Sequence, residues 1–379
     1  MKVLVVGAGA WGLPTAAQLA LRGHDVELVD RCGPGNPRSS SSGPTRIWRL
    51  THADEVRVRM AQVSIDAMRR LEERSGRRVF QRQGLLWRDR SSLDAVVAAL
   101  QAVGVAHTLV DAADVARFFP GLEADDRAAV WQEDAGVVLA AESLAAQLGL
   151  FTAAGGRTAF GRAVQAVESR PSGARVRYAD GASEDYDRVV LAAGPESEPL
   201  LASLGVRMPL RPHLEQVVTV GDRERPTLTD ALPCLIDGAD GEDPVLYAMP
   251  TPGSGYKAGL DLPLREYRPD DDDRSPDPGV TAAVTERIRR HLPSLPREVV
   301  QTQVCSWTDS PDGRFVLDTV GDVVVACGDS GEGFKFSALM GEVLADLAEH
   351  REPEPDVSSF GLGRFADRVE WRTHSLTLG

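Results

Sequence analysis

Apolar residues begin almost at once, in the run Lys2-Val3-Leu4-Val5-Val6, and stop at a glycine. A short β-branched run bounded in this way predicts a buried strand. Helical spacing follows Gly12, and a second apolar run over 25–29 predicts the returning strand of a βαβ unit. Residues 33–44 are rich in Gly, Pro and Ser and predict a loop. Over 54–74, Val56, Met60, Val63, Ile65, Met68 and Leu71 recur near the helical period among Arg and Glu, which predicts an amphipathic helix with a solvated charged face. Strands at 83–87 and 130–131 flank helical stretches at 92–103 and 112–118. A helix at 141–154 precedes strands at 163–167, 174–178 and 188–192, which read as part of the nucleotide half. Residues 209–296 alternate between strands (216–220, 244–249, 256–259), carry a solvated acidic loop at 270–273, and end in a helix at 280–292. Strands at 315–318 and 322–327 lead to a helix at 337–349. No repeat period is present.

This order predicts an α/β and α+β chain. A Rossmann-type dinucleotide-binding domain takes residues 1–85, 141–208 and 297–379, and a mainly antiparallel-sheet substrate domain takes 86–140 and 209–296. A chain of 379 residues exceeds the usual single-domain size and has length enough for two cores.

The turn after the first strand, Gly7-Ala8-Gly9-Ala10-Trp11-Gly12, carries dinucleotide-binding spacing. Gly7 permits the tight turn, Gly9 lets backbone approach a pyrophosphate, and Gly12 lets the helix sit close to the strand. Asp30 closes the second strand about twenty residues on, where a ribose-binding carboxylate belongs. This motif leaves NAD and FAD both open. A second glycine-rich strand-to-helix turn, Gly328-Asp329-Ser330-Gly331-Glu332-Gly333-Phe334-Lys335, brings another helix N-terminus able to stabilise an anion. Two such turns suit a large bound flavin better than an exchanging nicotinamide.

The net charge of -14 argues against nucleic acid as a partner. No apolar run approaches the roughly 20 residues of a membrane span, and the N-terminal strand runs into structural motif, not into a cleavage site. A cytoplasmic location follows as the expectation. Cys32, Cys234, Cys305 and Cys327 are too scattered for a metal site or a disulfide framework, so no metal is expected.

In order and spacing, five segments resemble the monomeric sarcosine oxidase and N-methyl-amino-acid oxidase family, among the D-amino-acid-oxidase-like flavoproteins. They are Gly7 to Gly12 with Asp30, Thr45-Arg46-Ile47-Trp48-Arg49, Gly255-Tyr256-Lys257-Ala258-Gly259, Cys305 to Asp312, and Ala326 to Ser337. The resemblance implies FAD held by an 8α-S-cysteinyl thioether to Cys305, and a small amino-acid substrate with O2 as acceptor. It implies Lys257 as the cation over the flavin face that activates oxygen, and Arg49 with Lys335 as the grip on the substrate carboxylate. It places Asp30, Arg31, Ser40, Ser41, Thr45, Arg46, Val164, Gly328, Gly331, Gly333, Phe334 and Lys335 along the cofactor, and implies a monomer.

Three departures change the amine end of the pocket. Ser41-Ser42 stand where sarcosine oxidases carry a histidine pair, Asp261 stands for a histidine, and Trp307 stands for a tyrosine. Asp261 would attract a cationic group and Trp307 would wall the pocket with more aromatic surface. The implied reaction is oxidation of an N-methyl or cyclic imino acid to an imine with release of H2O2, in a biosynthetic setting. Oxidation or dehydrogenation of a primary amino acid and nicotinamide-dependent imine reduction are the alternatives.

Overall fold

The computed structural model describes residues 1–238, 244–268, 271–366 and 371; Asp270, at the head of the expected acidic loop, lies outside them. Lys2–Val6 forms the centre of a six-stranded sheet ordered Val316–Val320, Val323–Cys327, Arg188–Leu191, Lys2–Val6, Asp25–Asp30, Arg157–Phe160. Neighbours are parallel except the first pair, a hairpin. Val3, Leu4 and Val5 are fully buried, as a strand covered on both faces requires. Helices Gly12–Leu21, Ala140–Ala153 and Ser337–Ala348 pack together with the sheet in one hydrophobic core. Strands Val164–Ser169, Ala174–Tyr178 and Ser183–Tyr186 form a separate antiparallel sheet that shares a core with Leu4, Val6 and Val189. Of the run expected as three nucleotide-half strands, only Arg188–Leu191 enters the parallel sheet.

A nine-stranded sheet makes the second layer. It is ordered Arg265–Glu266, Arg211–Gly221, Gly255–Leu260, Leu246–Thr251, Cys234–Asp237, Leu85–Arg88, Ala129–Gln132, Thr108–Val110, and Glu298–Asp309 also pairs along Arg211–Gly221. All pairings are antiparallel except Cys234–Asp237 with Leu85–Arg88. Glu298–Asp309 opens the segment expected to belong to the nucleotide half, yet its long antiparallel register with Arg211–Gly221 places it in the nine-stranded sheet. Cys305 and Trp307 ride on it.

Thr45–Trp48 emerges from the Gly/Pro/Ser loop as a strand paired with Gly136–Leu139. The following helix, Glu55–Ser75, starts where the Asp54 side chain accepts the Arg57 amide at 3.0 Å and stops at Gly76, whose φ is 66°, the usual start and stop chemistry. Its buried face is Val58, Met60, Ala61, Met68 and Leu71, whereas Val56, counted among the apolar positions, is 38% exposed. Helix Pro278–His291 is capped by Asp277. Among the described residues, no helix is long and apolar enough to cross a membrane.

Candidate functional site

A cleft runs between the two layers, from Val164, Asp30 and Arg31 at one end to Lys257, Cys305, Trp307 and Lys335 at the other. Its floor is the first glycine turn. Gly7 has φ +104°, and a Cβ there would meet Ala192 O at 2.2 Å; a Cβ on Gly12 would meet Gly7 O at 1.9 Å. Only glycine lets the turn close and the helix start against it. Gly7 and Gly9 face the cleft and Gly12 lies behind it.

Asp30 organises this end. Its Oδ2 accepts the Ala8 amide at 2.8 Å, while Oδ1 accepts the amides of Cys32 at 2.7 Å and Gly33 at 2.6 Å. Arg31 is ion-paired with Glu196. Ser41 Oγ accepts the Ala10 amide at 2.8 Å, and Ser40 Oγ lies 3.1 Å from Ser306 Oγ, so the serine loop is tied both to the glycine turn and to the strand of Cys305. Arg46 donates to the carbonyls of Thr45 at 2.8 Å, Ser40 at 2.9 Å and Ser42 at 2.5 Å, and its guanidinium lies 5.5 Å from the Phe334 ring centroid. Thr45 itself turns away from the cleft wall, its hydroxyl 3.1 Å from Thr251 Oγ1.

The second glycine turn closes the other end. Gly328, Gly331, Gly333, Phe334 and Lys335 all line the cleft. The Gly333 carbonyl accepts Trp11 Nε1 at 3.0 Å, and Ser337 Oγ donates to the Ala10 carbonyl at 2.6 Å. The two turns therefore share one wall although more than 300 residues separate them in sequence.

Lys257 is buried, and its Nζ donates to the Thr45 carbonyl at 2.5 Å. Burial, then the neighbouring Arg46, lowers its ammonium to about 7. The Cys305 thiol is raised to about 11 by burial and by Glu215, against the pull of Arg46 and Lys257. Tyr247 donates to Glu215, and both line the cleft. Trp307 is buried, with Nε1 donating to Asp309 Oδ1 at 2.9 Å and its ring 5.5 Å from that of His213. Asp261 faces the cleft and interacts electrostatically with Arg49.

Arg49 and Lys335 converge, and Glu332 stands between them. Glu332 Oε1 accepts from Arg49 Nη2 at 2.8 Å and from Lys335 Nζ at 2.9 Å. Arg57 Nε is 3.5 Å from Oε2, and His52 Nδ1 is 3.7 Å from Oε1. Arg49 also donates to the Thr51 carbonyl and lies 4.7 Å from the Trp87 ring centroid. Burial lowers Lys335 to about 8 and Arg49 to about 10. Burial alone would raise the Glu332 carboxyl; Lys335 and the arginines override it and hold it well below its ordinary value. The sequence reading gave no role to Glu332, His52 or Arg57. The available signal was an acidic residue set between two glycines directly before Phe334-Lys335.

A long cleft floored by glycines, with backbone amides of two helix-leading turns on one wall, fits a dinucleotide with a planar ring. Comparison with known proteins agrees. The FAD dependent oxidoreductase family pattern matches residues 2–347. A monomeric sarcosine oxidase of Bacillus sp. (strain NS-129) is 28% identical over 97% of this chain and 98% of its own length. An N-methyl-L-tryptophan oxidase of Yersinia pestis is 26% identical over 96% of this chain and 99% of its own length. Among solved structures, NikD, an unusual amino acid oxidase essential for nikkomycin biosynthesis, superposes with a TM-score of 0.83 at 27% identity over 95% of this chain and 96% of its own. The expectation of a flavin fold holds and the nicotinamide alternative falls: this chain belongs to the FAD dependent oxidoreductase family.

Proposed function

We propose that this enzyme oxidises the CH–NH bond of a secondary-amine amino acid, N-methylated or cyclic, to an imine, with O2 reduced to H2O2. The observation that carries the reading is the meeting of Arg49 and Lys335 on a single carboxylate oxygen at the cleft wall. Two buried cations that close together are built for an acid group, the arginine by its planar fork and the lysine as a point charge. Bound FAD supplies the two-electron acceptor for the reaction.

This chain's residues supply the rest. Arg49 and Lys335 orient the acid end so that the reacting carbon faces the ring end of the cleft. Trp307 and the buried cleft walls exclude water, which strengthens each charge inside. Asp261, on the cleft wall near Arg49, attracts a substrate nitrogen that carries positive charge. Lys257 Nζ, in its protonated form, sets a positive charge that favours an electron arriving on O2. Cys305 is the attachment point for the cofactor; Arg46 and Lys257 draw its thiol toward the thiolate against the larger opposing pull of burial and Glu215. Gly7, Gly9, Asp30, Arg31, Ser40, Ser41, Arg46, Val164, Gly328, Gly331, Gly333 and Phe334 bind the cofactor along the cleft they line. Thr45 contributes through its carbonyl, which fixes Lys257. The likeness to NikD supports a place in a biosynthetic reaction sequence.

A panel of N-methyl, cyclic and primary amino acids, assayed for peroxide, tests the reading. Turnover confined to secondary-amine acids is expected; turnover of primary amino acids alone, or of none, refutes it.

A further inference from the structure

The acid grip is already occupied by an acid of the protein. Glu332 Oε1 lies within hydrogen-bond distance of both Arg49 and Lys335, so it fills the point at which one oxygen of an incoming carboxylate would bridge the pair. Its other oxygen is buried and has no hydrogen-bond partner among the described residues. Arg57 Nε lies 3.5 Å from that oxygen, just beyond good hydrogen-bond range. A small rotation of the Glu332 side chain would therefore exchange two hydrogen bonds for one from Arg57 and free both cations. Arg49, Arg57 and Lys335 surround this one carboxylate, and with Asp261 also acting on Arg49 the cluster still carries more cations than carboxylates, so it can hold a second negative charge.

Resting on the reading of Arg49 and Lys335 as the acid grip, we propose that Glu332 is its specificity-determining residue: a substrate carboxylate engages the pair by displacing Glu332 toward Arg57. Glu332 thus competes with every acid that enters. Simple carboxylates that gain nothing elsewhere bind weakly, and an amino acid whose nitrogen end makes further contacts near Asp261 and Trp307 wins the pair.

Propionate, titrated against the flavin-loaded enzyme and followed by visible absorbance, tests this. Glu332→Gln keeps the shape and removes the charge. It should bind propionate about tenfold more tightly than wild type and lower KM for the amino-acid substrate with a smaller change in kcat. Glu332→Asp, which keeps the charge, should leave binding weak. If Glu332→Gln binds propionate no more tightly, or neither form binds it, the proposal is overturned. Arg49→Met separates the two readings: if it abolishes propionate binding while Glu332→Gln changes nothing, the grip stands and only the competitor fails; if Arg49→Met has no effect, the grip itself fails. A crystal structure of wild type with propionate gives an answer that needs no variant. Glu332 should have left Lys335 and come within about 3 Å of Arg57 Nε; an unmoved Glu332 beside bound propionate refutes displacement.

Discussion

Replacing Lys257 by methionine should make the protein more stable and the enzyme slower toward oxygen. The ammonium is buried at the cleft wall, and burial brings it from 10.5 to about 7. At 1.36 kcal/mol per pH unit, that shift corresponds to about 5 kcal/mol against the folded state below pH 7, where both states are protonated. Methionine fills a similar volume without charge. The lost hydrogen bond to the Thr45 carbonyl returns about 1 kcal/mol, because Arg46 still donates to the same oxygen. The net expectation is a gain of about 4 kcal/mol.

The pH dependence has a definite sign. A lysine whose folded value is depressed penalises folding wherever the unfolded chain is protonated, so the penalty is complete below about 7 and fades as pH rises toward 10.5. The advantage of Lys257→Met should therefore shrink by about 1.4 kcal/mol per pH unit across that window. Urea unfolding of the flavin-loaded proteins at pH 7 and pH 9, followed by circular dichroism, reads it. In parallel, protein reduced anaerobically by substrate and mixed with oxygen should reoxidise about 100-fold to 1,000-fold more slowly in the variant, the usual effect of removing a fixed charge from a developing one. Wild-type reoxidation should slow as pH rises through about 7. Equal stability at pH 7, or a difference that stays flat with pH, would show that Lys257 is not held against burial. Unchanged reoxidation would place oxygen chemistry away from it.

Three further outcomes follow from the cleft. Gly12→Ala should cost about 1–3 kcal/mol and yield protein depleted in flavin, because its Cβ would lie 1.9 Å from Gly7 O; melting temperature and the ratio of visible to ultraviolet absorbance measure both, and full flavin content would contradict the close-approach argument. Arg49→Lys should raise KM about tenfold to 100-fold through loss of the fork, about 1.4–2.8 kcal/mol, and a KM within about threefold of wild type would remove Arg49 from the grip. Cys305→Ser should move the yellow colour from the acid-precipitated pellet to the supernatant; a yellow variant pellet would assign the tether elsewhere.

What could be read from sequence, and what could not, separates along the range of the interactions involved. The first βαβ unit was legible because its signature is local: Gly12 is demanded by the Gly7 carbonyl within the same turn, and the glycine spacing can be read there even though the Ala192 carbonyl that demands Gly7 comes from a neighbouring strand distant in sequence. The helix Glu55–Ser75 was legible for the same reason, since its cap and its period lie within it. Glu298–Asp309 was not. Its run Gln301-Thr302-Gln303 lacks a strand's apolar alternation, and it is a strand because Arg211–Gly221, some eighty residues earlier, supplies the ladder. Thr45–Trp48 is too short for its period to speak and is held by Gly136–Leu139. The site shows the same division more sharply. Arg49, Lys257 and Lys335 carry no local signature as functional cations and could be named only through the segments around them. Glu332 had no such help, because its role is defined by Arg49 at a separation of 283 residues. A buried carboxylate is tolerable only where cations from elsewhere meet it, so its meaning lies in the tertiary fold.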